Sequence, residues 1–298
     1  MPFPSFLKPG DQVAIVATAK RLESPVDRGV RLLEKWGLKV LIGDYLNEKT
    51  GYFAGTDAER LLDFQMALDN PEVKAIVFAR GGYGTTRILD SVDFTAFKKS
   101  PKWLIGFSDL TSMLLHASTL DLPSIHGPVC ITIGQDNQTD DYLKDLLFGQ
   151  LEFHLPLSES SLTQVGQCSG KIVGGNLSLI YESIGASNEI QTEGNILFLE
   201  EVGEGKYSVD RMMNKLKRCG KLDRLSGVLI GSFTDISDPN KYFSESVEEI
   251  LIGYFSSLRI PIAFGLKAGH EKANYPLAIG LKANVIINSD ALNIQYLY

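Results

Sequence analysis

A repeating alternation in the first half most constrains the fold of this chain: short, almost wholly apolar runs, each followed by a stretch of helical character. The runs are 13–16 (VAIV), 38–42 (LKVLI), 74–78 (KAIVF) and 103–107 (WLIGF). A strand without polar alternation is buried on both faces, and strands separated by helices pair in parallel beneath them. Right-handed crossovers then bring the carboxyl ends of the strands to one edge, where open α/β sheets place their sites. One helix start is explicit, because Thr56 and Glu59 stand at capping-box spacing ahead of Leu61, Leu62, Phe64 and Leu68. The fold class expected is α/β.

The second half is less regular. At 298 residues the chain exceeds one ordinary core. The stretch 156–170 (PLSESSLTQVGQCSG) is polar and rich in Ser and Gly, so it reads as a linker. This divides the chain into an N-terminal parallel-sheet α/β domain, 1–155, and a C-terminal domain, 171–298. The latter reads as mixed α/β with more antiparallel strands. Its strands are expected near 171–173, 195–199 and 228–230, with helices near 176–184, 208–217 and 244–256. Short strands close the tail at 276–279, 284–287 and 292–296.

Charge and composition exclude several classes of function. Lys and Arg number 29 against 36 Asp and Glu, a net charge of −7. No basic stripe suited to phosphates occurs, and the cluster 215–218 (KLKR) reads as a solvated helix end, so nucleic acid is not an expected partner. No apolar run approaches the roughly 18–20 residues of a membrane span. The N-terminus lacks the basic and apolar segments of a signal peptide. Three scattered cysteines, Cys130, Cys168 and Cys219, cannot all pair and have no metal-ligand spacing. A cytoplasmic protein without metal or cofactor is the expectation.

Two strand ends carry candidate chemistry. The stretch 80–84 (RGGYG) follows a strand and precedes a helix, and its glycines leave backbone N–H groups free to receive an anion or an oxyanion. It matches neither nucleotide-binding glycine pattern. The stretch 105–111 (IGFSDLT) leaves Ser108 at a strand-to-helix corner, the position of a nucleophile elbow, although Leu110 stands where that pattern has its last Gly. A helix cap is the competing reading of Ser108.

A serine nucleophile needs a base, and the chain has four histidines. His116 reads as a packed helix residue and His154 as exposed. His126 ends a strand before Gly127 and Pro128, while His270 lies in a loop, 266–277, with no hydrophobic period; His270 leads modestly. For the acid that orients the imidazole, Glu200 ends the apolar run 196–200 (ILFLE), with Glu201 and Glu204 as alternatives.

Taken together, 80–84 (RGGYG), 106–109 (GFSD), 126–128 (HGP), 174–176 (GGN), 199–204 (LEEVGE) and Gly269-His270 stand in the order seen in the LD-carboxypeptidase family, serine peptidases that include murein tetrapeptide carboxypeptidases and microcin C immunity peptidases. The resemblance runs from residue 7 nearly to the C-terminus. It implies Ser108 as nucleophile, Glu200 as acid and His270 as base, with the amides of Gly82 and Asp109 as oxyanion hole. Arg80 and Tyr83 are candidates to contact the peptide. The resemblance also implies a site between two domains, a homodimer, a cytoplasmic location and no metal. The murein branch removes the terminal D-Ala of the peptidoglycan tetrapeptide during cell-wall recycling. An amidase acting on peptidyl or aminoacyl nucleotides is the alternative within this chemistry, and a non-catalytic peptide- or nucleotide-binding protein the alternative outside it. Two stretches depart from the family pattern: 17–20 (ATAK), where many relatives have Pro-Ser, and Ala278, which interrupts a Pro-Leu-Gly order.

Overall fold

A computed structural model describes residues 3–298. The chain begins with β1 (Gln12–Val16), α1 (Asp27–Lys35), β2 (Lys39–Ile42), α2 (Asp57–Asp69) and β3 (Val73–Phe78). Next come α3 (Thr86–Leu89), α4 (Thr95–Lys99), β4 (Trp103–Gly106), a single 3₁₀ turn over Ser108–Leu110, α5 (Thr111–Thr119) and β5 (Ser124–His126). After α6 (Asn137–Leu147) the chain forms β6 (Glu152–Pro156), β7 (Gly166–Asn176), α7 (Leu177–Ser183), β8 (Ile196–Val202) and α8 (Lys206–Arg218). It ends through β9 (Gly227–Thr234), α9 (Val247–Phe255), β10 (Ile262–Ala263), β11 (Leu277–Ile279), β12 (Lys282–Ile287) and β13 (Ala291–Leu297).

These strands build two sheets, an α/β architecture as the alternation requires. The first has six strands in the order β11-β5-β4-β3-β1-β2. β2, β1, β3, β4 and β5 are parallel, and only β11 runs antiparallel at the edge. Both faces of the central strands are covered: Val13 and Ile15 of β1 enter one apolar cluster, while Ala14 and Val16 enter another. The edge strand β2 is not buried as its apolar run suggests, since Leu41 and Ile42 are exposed. The predicted capping box opens α2, with Glu59 N donating to Thr56 Oγ1 at 3.2 Å and Thr56 N donating to Glu59 Oε2 at 2.7 Å.

The second sheet has seven strands in the order β10-β9-β8-β7-β12-β13-β6. Its first four are parallel and the rest antiparallel, which is the mixed character expected of the second half. β12 shows the alternation of a strand with one wet face, Ala283, Val285 and Ile287 buried between more exposed neighbours.

The sheets do not divide where the composition changes. β6 begins before residue 156 yet pairs with β13 in the second sheet, and β11 returns from the second half to pair with β5. The stretch 156–170 is more than a linker, since β7 begins at Gly166 and pairs with β12. From Gly166 on, its polar residues Gln167 and Ser169 are the exposed positions of a strand with one solvated face, while residues 158–164 form the irregular connection expected. Among the described residues, no helix is long and apolar enough to cross a membrane and no His/Cys/Asp/Glu group is arranged to hold a metal ion.

Candidate active site

At the carboxyl end of β4 the chain turns abruptly. Phe107 is extended, and Ser108 adopts φ of 64°, a left-handed conformation that a non-glycine residue keeps only where its surroundings enforce it. Space for the turn comes from Gly106, where a methyl group would lie 3.1 Å from Leu110 Cγ. Leu110 is buried in the vacated space, which explains how this corner forms without the last glycine of the elbow pattern. The Ser108 side chain caps no helix, and among the described residues its hydroxyl takes part in no hydrogen bond. The Asp109 amide follows at the first turn, where intrahelical acceptors are missing.

The glycine turn lies against this corner. A methyl group at Gly81 would sit 2.9 Å from Ser108 Cβ and 3.1 Å from its Oγ, so only glycine lets the two segments approach. Gly82 has φ of 118°, and its α-carbon faces Lys20 and Tyr52. Arg60 stitches the turn in place: fully buried, it donates from Nη1 to the carbonyl oxygens of Thr18 and of Gly84, the latter at 2.9 Å. Asp109 adds a second tie, because its buried carboxylate accepts from Thr85 N at 2.9 Å. Burial raises the Asp109 carboxyl above its usual range, against these hydrogen bonds.

From the second sheet, β8 delivers Glu200 fully buried, and its Oε2 stands 2.7 Å from His270 Nδ1. The other carboxylate oxygen is buried with no hydrogen-bond partner among the described residues. Burial raises this carboxyl, and the imidazole hydrogen bond opposes the rise. The register between β8 and β9 shifts between Leu199 and Glu201, an irregularity that re-aims side chains beside a site. Gly269 permits the approach of the His270 loop, since a methyl group there would meet Glu200 Oε2 at 2.8 Å. Asn274 holds the loop by accepting from Gly269 N at 2.8 Å, while its own amide donates to Thr139 Oγ1 of α6 at 3.0 Å.

Glu201 has different work. Its carboxylate accepts from Ser178 N and Ser178 Oγ at 2.7 Å each and from Asn176 Nδ2 at 2.8 Å, which ties it to the start of α7. Glu204 makes no comparable tie to the imidazole.

The two halves of the site meet through Phe107, whose ring lies 4.8 Å from the His270 ring. The structure thus joins Glu200 and His270 directly and sets Ser108 one residue from the ring that packs on the imidazole. His126 lies behind, fully buried at 5.9 Å from Phe107 and 4.7 Å from Phe198, with neither ring nitrogen hydrogen-bonded among the described residues. Burial pushes its pKa down to about 3, so it is a neutral packing group. His116 stacks on Phe94 at 4.3 Å, and His154 faces Asn293 at 2.8 Å, both away from the corner.

Arg80 and Tyr83 flank the glycine turn. Arg80 Nη1 donates to Arg21 O at 3.0 Å and to Glu23 Oε2 at 3.2 Å, and Tyr83 is exposed. The sequence reading missed the roles of Phe107, Gly81, Arg60 and Lys20; Phe107, Gly81 and Lys20 lie inside stretches already singled out, whereas Arg60 carried no signal.

Comparisons with known proteins show the family and the fold. Residues 13–127 match the LD-carboxypeptidase N-terminal domain, and residues 169–285 the LD-carboxypeptidase C-terminal domain. A probable murein peptide carboxypeptidase of Bacillus subtilis is 38% identical over 289 residues, covering 94% of this chain and 90% of its own. The muramoyltetrapeptide carboxypeptidase of Oxalobacter formigenes superposes with a TM-score of 0.85 at 26% identity, over 96% of this chain and 98% of its own. The microcin C7 self immunity protein MccF superposes with a TM-score of 0.89 over 100% and 99% of the chains, but at 21% identity this speaks for the fold alone.

Proposed function

The chain belongs to the LD-carboxypeptidase family of serine peptidases, and on that premise we propose that Ser108, His270 and Glu200 act as nucleophile, general base and orienting acid. The observation that carries this reading is the 2.7 Å bond between Glu200 and His270, made beside the ring that precedes the left-handed Ser108. With Nδ1 held by the carboxylate, Nε2 is the nitrogen left to take the serine proton. A Ser–His hydrogen bond absent from a free enzyme tightens when substrate binds.

The substrate is the peptidoglycan tetrapeptide, cut at the bond from L-diaminopimelate or L-Lys to the terminal D-Ala, a step of cell-wall recycling. Ser108 attacks the carbonyl as His270 takes its proton, and the amides of Gly82 and Asp109 receive the oxyanion. Glu200 stabilises the imidazolium across its short bond. His270 then returns the proton to the departing D-Ala amine, and water, deprotonated by the same imidazole, releases the acyl group. Arg80 and Tyr83 contact the peptide. The same reading carries a cytoplasmic location, in keeping with three unpaired cysteines, and a homodimer.

The test is mass spectrometry of a muropeptide tetrapeptide after incubation with the protein, where loss of one alanine is expected. Ser108→Ala and His270→Ala each remove kcat by a factor on the order of 10⁴–10⁶ while the protein stays folded. Retention of most activity by Ser108→Ala ends the nucleophile assignment. Faster cleavage of an aminoacyl sulfamoyl adenosine would move the substrate to the amidase alternative. Failure of a serine-directed probe to label Ser108 would favour the non-catalytic one.

A further inference from the structure

Removing a terminal residue requires recognition of its free carboxylate, and that group lies two bonds from the scissile nitrogen. It therefore sits within a few ångströms of the oxyanion donors, and a carboxylate brought into a partly buried cleft needs a cation. Two cations flank the Gly82 turn. Lys20 packs its stem on Gly82, where a methyl group would meet Lys20 Cβ at 2.5 Å. Arg80 precedes the turn by two residues, its side chain only 17% exposed.

Both cations converge on one carboxylate already present. Glu23 Oε1 lies 3.0 Å from Lys20 Nζ, and Glu23 Oε2 lies 3.2 Å from Arg80 Nη1. The Glu23 side chain is 54% exposed and has no other hydrogen bond among the described residues. Arg80 Nε is buried with no hydrogen-bond partner among the described residues, a guanidinium donor left unused in the present arrangement. We infer that Lys20 and Arg80 form the site for the terminal carboxylate of the peptide, and that Glu23 fills it in the free protein as an intramolecular stand-in.

The inference rests on the carboxypeptidase reading and deepens it. Exposed ion pairs contribute little to stability, so an incoming carboxylate displaces Glu23 at small cost, and the free Nε of Arg80 offers it a second donor. The strap that carries Lys20 is itself fixed. Arg21 N donates to Tyr52 O at 3.0 Å, and Thr18 Oγ1 lies 2.9 Å from Thr85 Oγ1 in the glycine turn.

The experiment uses Ser108→Ala protein, which does not turn over, and calorimetric titration with the tetrapeptide L-Ala-D-Glu-diaminopimelyl-D-Ala as free acid and as C-terminal amide. The acid binds about 10-fold or more tighter than the amide; Lys20→Met, which keeps the stem, lowers acid affinity about 10–30-fold and leaves amide affinity within about twofold. Glu23→Gln tightens acid binding about twofold to fivefold by removing the competitor. A clasp that merely braces the strap makes both substitutions weaken binding, so the opposite signs separate the two roles. Equal affinity for acid and amide, equal weakening of both by Lys20→Met, or binding of neither peptide overturns the inference. Hydrolysis is read separately on wild-type protein: no loss of alanine there, beside an intact Lys20-dependent preference for the acid, would end the peptidase reading and leave the carboxylate site standing.

Discussion

Replacing Gly81 by Ala tests the site through geometry alone. Gly81 does not occupy the left-handed region, so alanine imposes no backbone strain there, unlike at Gly82 or Gly84. The new methyl group would lie 2.9 Å from Ser108 Cβ. Carbon atoms prefer about 3.5–4.0 Å, so the contact opens by about 0.6–1.1 Å, and the neighbour that must yield is the corner carrying the nucleophile. A displacement of about 1 Å in a reacting group costs on the order of 10²-fold in rate, or about 2.7 kcal/mol of barrier. Overpacking lowers stability by about 1–3 kcal/mol, a few degrees in Tm, which leaves the protein folded at 25 °C. The assay is kcat/KM for alanine release from the tetrapeptide, paired with the rate of labelling by a serine-directed probe and a thermal melt. Both rates fall together, by far more than the melt accounts for. A Gly81→Ala protein with kcat/KM within about threefold of wild type would show that Ser108 does not need its present position, and the argument from this corner would be wrong.

Glu200→Gln keeps the shape of a fully buried residue and removes its charge; kcat falls by about 10²–10⁴ while Tm is unchanged or rises, and a drop in Tm without loss of rate contradicts the orienting role. His126 is neutral in the folded protein with a pKa near 3, whereas the unfolded chain protonates it below its ordinary value of 6.5. The unfolded state therefore binds the extra proton between those values, and stability falls as pH drops from about 6.5 toward 3. His126→Phe flattens that slope in melts recorded across pH, and an unchanged slope refutes the assignment. Arg60→Met leaves the carbonyl of Thr18 unpaired and that of Gly84 with only the Arg87 N–H at 3.2 Å, and it lowers unfolding free energy by about 1–3 kcal/mol, which a denaturant titration measures; a midpoint equal to wild type would show that the guanidinium does not hold the turn.

How much of this was legible in sequence depends on whether a residue's partners are local. Strands β1, β3 and β4 are buried on both faces, so their apolar runs announce them. The capping box of α2 lies within four consecutive residues and reads just as directly. The corner at Ser108 was visible because strand, serine and helix are contiguous. Pairing partners are another matter. β11 has three residues, too few to show a period, and nothing in them says that they join the far sheet. Arg60 sits among the charged residues of α2 and reads as solvent-facing; it is buried because it reaches carbonyls more than twenty residues away in either direction. Glu200 and Glu201 are neighbours, and a strand sends them to opposite faces. Which face meets the imidazole is decided by α7, which claims Glu201.

The exchange of β6 and β11 has a mechanical consequence. Each sheet closes its edge with a strand borrowed from the other half of the chain, so prising the lobes apart would strip backbone hydrogen bonds from both. Any opening of the two sheets must therefore carry β6 with the second sheet and β11 with the first, so the halves of the chain cannot part as independent lobes. Cutting the polypeptide near residue 160 would yield two fragments, each with an unzipped border and neither able to stand alone.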